Sequence, residues 1–338
     1  MKHLRLFSPL FALMFQNTVL CLNEEPALPQ PHFRKISSLE NDEINQICGN
    51  QKPSLRFRST GPHANIEMFP WVGVIEFDDR WRKCTLSLIS RRHAITAAHC
   101  VYDAKTENRV IKDYLNGLFT VGYGGDCQFP HGMKSDEGCT IDNMKRTKIR
   151  TVFMNKDVPR DLPNPDHVPP RADLAIVEFQ EDISSVEFTP ICLPRVDDAL
   201  PSWGVLPGFG LTSRKEKGGV MKPHLRYITG ALSLSERKGW IELITPNFTD
   251  NNSTMKHGLE ATTGGEALSG DSGAPLVGWI DDDRAIQFGV LFGNEFPELL
   301  CDLRKYVNWI CESVGVCGRI GNVENTNHSH KATSTEIS

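Results

Sequence analysis

Short β-rich runs recur through most of this chain, and only one amphipathic helix follows them. The runs are WVGVIEF from Trp71, CTLSLIS from Cys84, HAITAA from His93, LAIVEF from Leu174, WGVLPGFG from Trp203, LRYITGALSL from Leu225 and GWIELITP from Gly239. APLVGWI and RAIQFGVLFG then form a hairpin pattern around Asp281–Asp283. Such runs are too short for helical stripes, and Gly, Pro, Asn and Asp punctuate them. Residues 103–170 are charged and rich in Gly and Pro, and read as extended surface loops. Near the end, residues 302–314 carry apolar positions 303, 306, 307, 310 and 314, the spacing of a helix face. Residues 35–48 also have a helical texture, in an extension preceding the main core. Many strands with a terminal helix predict an all-β domain.

The first residues bear on the compartment. Lys2, His3 and Arg5 precede an apolar stretch over residues 6–22 that Ser8, Pro9 and Gln16 interrupt. This predicts a secretory signal peptide cleaved near Cys21 or Leu22. The alternative, an N-terminal anchor, needs a longer uninterrupted run of about 20 apolar residues. The mature chain is therefore expected to be extracellular, with no membrane partner once the signal is removed. A signal peptide at 1–22, a propeptide-like extension at 23–58, a main domain at 59–312 and a polar tail at 313–338 make up the expected layout.

Lys plus Arg number 37 against 42 Asp plus Glu, a net charge of -5. That excludes an overall basic footprint for nucleic acid. A local basic stretch exists: Lys134, Lys145, Arg146, Lys148 and Arg150. It reads as an ordinary solvated face or, alternatively, as an exosite for a macromolecule; no nucleic-acid motif accompanies it. GYGG at 122–125 lacks the GK[ST] ending of a phosphate loop.

Three residues stand in contexts that suggest acyl transfer. His99 lies in TAAHC, Asp173 in RADLAIVEF and Ser272 in GDSGAPL. His, Asp, Ser is one of the chain orders of a hydrolytic triad. With these motifs and the CGN lead-in at Cys48–Asn50, the chain resembles the trypsin/chymotrypsin-like serine peptidases, in a divergent nematode-expanded secreted branch. The similarity spans roughly residues 48–312. It implies two packed antiparallel β-barrels, a cleft between them and a C-terminal helix.

The resemblance assigns roles. Ser272 is the expected nucleophile, His99 the base, and Asp173 the group that fixes the histidine tautomer. The amides of Gly270 and Ser272 are the expected oxyanion hole. Glu266, Phe292 and Gly293 are the expected substrate-pocket residues. Glu266 sits where trypsin-like members carry an acid for a basic P1 side chain, although a solvent-facing Glu reads equally well. Asp271 is expected to pair with the ammonium freed on activation, after cleavage at Arg58 or Arg56. No cofactor or metal is implied; protein or peptide substrates, an activating protease and an extracellular inhibitor are.

Two departures weigh against full activity. Ala274 replaces the second Gly of GDSGGPL. Leu291 stands where the family has a serine that supports the catalytic aspartate. Both favour the alternative of a weak or inactive homologue that acts by binding. Leu268 also replaces a pocket-bracing cysteine.

The resemblance pairs Cys84 with Cys100 and Cys48 with Cys192. Cys127 and Cys139 could close a local loop. Cys301, Cys311 and Cys317 remain, with Cys311 to Cys317 plausible. The sequons Asn247, Asn251, Asn252 and Asn327 are glycosylation candidates, three of them in one polar stretch.

Overall fold

A computed structural model describes residues 33–50, 64–77, 81–101, 118–128, 141–155, 173–185, 189–210, 224–235, 239–245, 267–280, 284–293 and 297–319. Phe33–Ser338 forms one compact unit, and the other unit, Met1–His32, lies outside the described residues.

The first barrel contains β1 (Val72–Phe77), β2 (Trp81–Leu88), β3 (His93–Thr96), β4 (Phe119–Tyr123), β5 (Lys145–Met154) and β6 (Ala175–Phe179). It closes in the order β1-β2-β3-β6-β5-β4. The second contains β7 (Trp203–Gly208), β8 (Arg226–Leu234), β9 (Ile241–Ile244), β10 (Pro275–Ile280), β11 (Arg284–Gly293) and β12 (Glu298–Asp302), closing as β10-β11-β12-β9-β8-β7. All pairings within the barrels are antiparallel. The fold is thus the double barrel the sequence implied. Closure leaves neither sheet with an open edge. Register shifts at Ile75/Glu76, Ile149/Thr151, Leu276/Val277 and Leu291/Gly293 supply the local bends that closure needs.

Three strands lie where the sequence read none. β4 and β5 fall inside the region read as surface loops, which corrects that reading. Phe119, Val121 and Tyr123 of β4 point inward, but flanking Gly and charge mask the alternation. β12 begins with a buried glutamate, which hides its apolar face.

Two helices flank the barrels. α1 (Ser38–Ile47) starts at a capping box: the Ser37 hydroxyl accepts the Glu40 amide, and Glu40 reaches back to the Ser37 amide. Ile36, Ile44 and Cys48 belong to the same apolar cluster as the barrel interiors. The expected C-terminal helix is divided into a 3-10 turn, Leu303–Lys305, and α2 (Val307–Val314). Asp302 caps the turn by accepting the Arg304 amide. Gly315, at φ 82, ends α2 in a left-handed conformation that favours glycine.

Candidate active site

His99 sits in a single 3-10 turn, Ala98–Cys100, just after β3. Asp173 lies just before β6. β3 pairs with β6 through Thr96↔Ala175, so the two strand ends carry these residues side by side. The Asp173 carboxylate accepts the His99 amide at 2.9 Å and faces His99 Nδ1 at 2.7 Å. Its side chain is 5% exposed, whereas that of His99 is 32% exposed. A carboxylate with this contact selects the tautomer protonated at Nδ1 and leaves Nε2 as the base.

The Cys84–Cys100 disulfide pins the His99 turn to β2. Both sulfurs and the His99 ring nitrogen lie within 4.8 Å of one another. The disulfide consumes both thiolates, so this cluster is a covalent brace for the turn rather than a metal centre.

Ser272 reaches the same place from the second barrel. Its carbonyl accepts the Thr85 amide at 2.9 Å and lies 3.7 Å from the Cys100 sulfur. The turn around it packs tightly: at Gly273, φ 85, a Cβ would fall 2.2 Å from the Thr85 carbonyl oxygen. Gly270 also has positive φ, 98. The amides of Gly270 and Ser272 have no acceptor among the described residues, although their neighbours Asp271, Gly273 and Ala274 all donate. The Ser272 hydroxyl makes no hydrogen bond to His99 among the described residues. Such bonds often tighten only around substrate.

Asp271 accepts the Gly210 amide at 2.7 Å and the Leu268 amide at 3.0 Å. Ala274 is fully buried and bonds through its amide to the Asp271 carbonyl. Leu291 is 1% exposed; its backbone exchanges bonds with Gly273 and Ala274, so it braces the Ser272 turn without offering a hydroxyl. Phe292 is half-buried and meets Trp240 edge-on, with ring centroids 6.0 Å apart. Gly293 ends β11 against Leu299. Glu266 lies outside the described residues, as do Asn247, Asn251, Asn252, Asn327, Arg56, Arg58 and Lys134.

The structure places one group that sequence reasoning passed over, Glu298, and settles the surroundings of the leftover Cys301. Glu298 is 1% exposed and accepts the Ala267 amide at 2.7 Å, beside the segment leading to Ser272. Cys301 is buried and forms no disulfide. Burial, and then the charges of Asp173 and Asp302, push its pKa up, which keeps it protonated. Glu298 had no local motif to mark it; Cys301 was the cysteine left over once Cys311 and Cys317 paired.

Cys48–Cys192 and Cys311–Cys317 are bonded, as expected. Cys127 is disulfide-bonded, and the Cys139 expected opposite it lies outside the described residues. Of the basic stretch, Arg146 pairs with Glu76 and Asp142, and Arg150 with Glu178. No helix among the described residues is long and apolar enough to cross a membrane.

Residues 29–116 match the nematode trypsin-6-like family, DUF316. CLIP domain-containing serine protease B10 of Anopheles gambiae is 27% identical over 274 residues, covering 75% of this chain and 68% of that protein. CLIP domain-containing serine protease B9 of the same organism is 25% identical, with 75% and 62% covered. Serine protease ea of Drosophila melanogaster is 26% identical, with 75% and 66% covered. The chain therefore spans 62% to 68% of the length of these relatives. Two closed six-stranded barrels, and matches of this breadth to serine proteases, establish homology to the trypsin-like serine peptidase superfamily, in its nematode trypsin-6-like branch.

Proposed function

We propose that this chain is a secreted serine endopeptidase in which Ser272 attacks, His99 takes and returns the proton, and Asp173 holds the histidine. The observation that carries the reading is the His99–Asp173 contact at 2.7 Å beside a turn in which the amides of Gly270 and Ser272 have no acceptor among the described residues. His99 Nε2 removes the Ser272 proton as Oγ bonds to the scissile carbonyl carbon. The carbonyl oxygen becomes an oxyanion, which the two amides stabilise. The proton on Nε2 then passes to the leaving amine as the C–N bond breaks. Water, activated by the same nitrogen, hydrolyses the acyl-enzyme.

Basic P1 side chains are the proposed substrate class. Glu266 supports this by its place in the sequence, and the buried Glu298 carboxyl group accepts the amide of Ala267, the residue that follows Glu266. A peptide library showing an apolar P1 preference would exclude it. Secretion is supported by the signal-like N-terminus and by the disulfides, which suit an oxidising compartment. An activating protease and an extracellular inhibitor are the proposed partners besides substrate.

A second reading, a weak or inactive homologue that acts by binding, draws on Leu291, which leaves Asp173 without a hydroxyl from β11. One experiment separates the two. A fluorophosphonate probe should label the secreted, processed protein, and Ser272→Ala should abolish both labelling and amide hydrolysis while the fold persists. Unlabelled parent protein, or activity retained in a clean Ser272→Ala preparation, excludes the enzyme reading.

A further inference from the structure

Thr85 is fully buried in β2, a first-barrel strand, yet its hydroxyl and its amide bond to the second barrel. Its hydroxyl donates to the Gly270 carbonyl at 2.9 Å and accepts the Phe209 amide at 3.2 Å. Its own amide donates to the Ser272 carbonyl at 2.9 Å, and its carbonyl accepts the Thr96 hydroxyl at 2.9 Å. One residue thus joins β2 and β3 to the segment after β7 and to both ends of the nucleophile turn.

The Gly270 contact has a specific consequence. Gly270 has positive φ and no side chain, so its peptide planes rotate at little steric cost. Fixing its carbonyl on Thr85 fixes the plane on its C-terminal side. The Asp271 amide, in that same plane, donates back to Leu268. Rotation of this peptide breaks both bonds and buries two unsatisfied polar groups. The Gly270 amide lies in the preceding peptide plane, shared with Ser269, and has no acceptor among the described residues.

We propose that Thr85 is a positioning residue: its hydroxyl, supplied by the first barrel, fixes the Gly270–Asp271 peptide and so anchors, from its C-terminal side, the Gly270 Cα from which the amide is presented to the oxyanion. This rests on reading Ser272 as the nucleophile. Thr85 touches no reacting atom, so its effect should fall on the chemical step rather than on encounter with the reagent.

Thr85→Val keeps the branched shape and removes the hydroxyl; Thr85→Ser keeps the hydroxyl. Both are compared with the parent secreted protein in the kinetics of fluorophosphonate labelling, resolved into the maximal inactivation rate and the half-saturating concentration. Thr85→Val should lower the maximal rate by about 10- to 100-fold with little change in half-saturation, since loss of an oxyanion donor outright costs about 100- to 1,000-fold. Thr85→Ser should remain close to the parent. Should Thr85→Val not be secreted, Thr85→Ala is read in the same way. A folded hydroxyl-free variant labelling at the parental rate overturns the proposal. So does Thr85→Ser as slow as Thr85→Val, which would assign the effect to shape. Hydrogen exchange over residues 267–274 is followed in parallel, and should accelerate in Thr85→Val and not in Thr85→Ser. Failure of the parent to label at Ser272 removes the nucleophile reading and, with it, the catalytic proposal; unchanged exchange in Thr85→Val overturns the tether whatever the labelling.

Discussion

Asp173 receives two donors, the His99 backbone and the His99 ring, and its carboxylate is nearly buried. An amide in its place must turn an N–H toward one of them. Asp173→Asn therefore favours the wrong histidine tautomer, with the proton on the nitrogen that should act as base. In a related triad this change lowers kcat on the order of 10⁴-fold. The same scale is expected here for labelling or amide hydrolysis, with an unchanged circular dichroism spectrum; a loss under tenfold would mean that Asp173 does not set the tautomer. His99, Asp173 and Ser272 were all legible in the sequence because each sits in a short, distinctive string. Thr85 and Glu298 were not. Their surroundings come from residues far off in the chain: the Thr85 hydroxyl meets Gly270 across 185 positions. No window along the sequence contains both groups.

At the scale of elements, β3 shows how a strand can carry a liability. All four of its residues are buried, including His93. Ser90 Oγ lies 2.8 Å from His93 Nδ1, and Nε2 has no hydrogen-bond partner among the described residues. An Nδ1–H donating to Ser90 leaves a bare Nε2, the cheaper group to bury. Burial, followed by the charges of Arg92 and Arg34, lowers the His93 pKa from 6.5 to about 3. The unfolded chain thus binds a proton near pH 6.5 that the folded chain refuses. Stability is unaffected well above pH 6.5 and falls as the pH drops toward 3, by at most about 1.4 kcal/mol per pH unit. His93→Asn, which cannot take up that proton, should flatten the fall in urea midpoint between pH 6.5 and 4.5. Equal slopes in parent and variant would show that His93 is not the group responsible. The elements themselves were unevenly legible. β1, β3, β6, β10 and β11 announced themselves as apolar runs bounded by turn residues. β5 did not, because Lys145, Arg146, Lys148 and Arg150 dominate its first half. Two of those charges are absorbed by partners on other strands: Arg146 bonds to buried Glu76 of β1, and Arg150 to buried Glu178 of β6. Those pairings hold in a barrel strand a stretch that looked like a surface loop.

For the whole molecule, the proposed activation cleavage raises the question of what would hold the N-terminal segment to the barrels. The Cys48–Cys192 disulfide is the obvious tether. Yet Ile36 and Ile44 are each only 7% exposed, and burying an isoleucine contributes roughly 1.5–3 kcal/mol. The Ile36 amide donates to the Val314 carbonyl, and the Cys317 amide to Asn41. Arg34 meets Glu178 at 2.5 Å, and Arg92 meets Glu40 at 2.7 Å. At the other end, Gly49 exchanges backbone bonds with Pro190 and Ala285. These contacts engage both barrels and the C-terminal helix, and none of them depends on the chain being continuous through residues 51–63. The segment should therefore behave as a structural subunit after cleavage. In a Cys48→Ala/Cys192→Ala variant cut by limited trypsin treatment at Arg56 or Arg58, the fragment containing residues 33–50 should co-elute with the barrels on size exclusion in native buffer. It should separate in concentrated urea. The parent, cut in the same way, should hold the fragment in both until reductant is added. Separation of the double variant in native buffer would mean that the disulfide alone retains the segment, and that the buried isoleucines and the Arg34–Glu178 pair contribute too little to keep it in place.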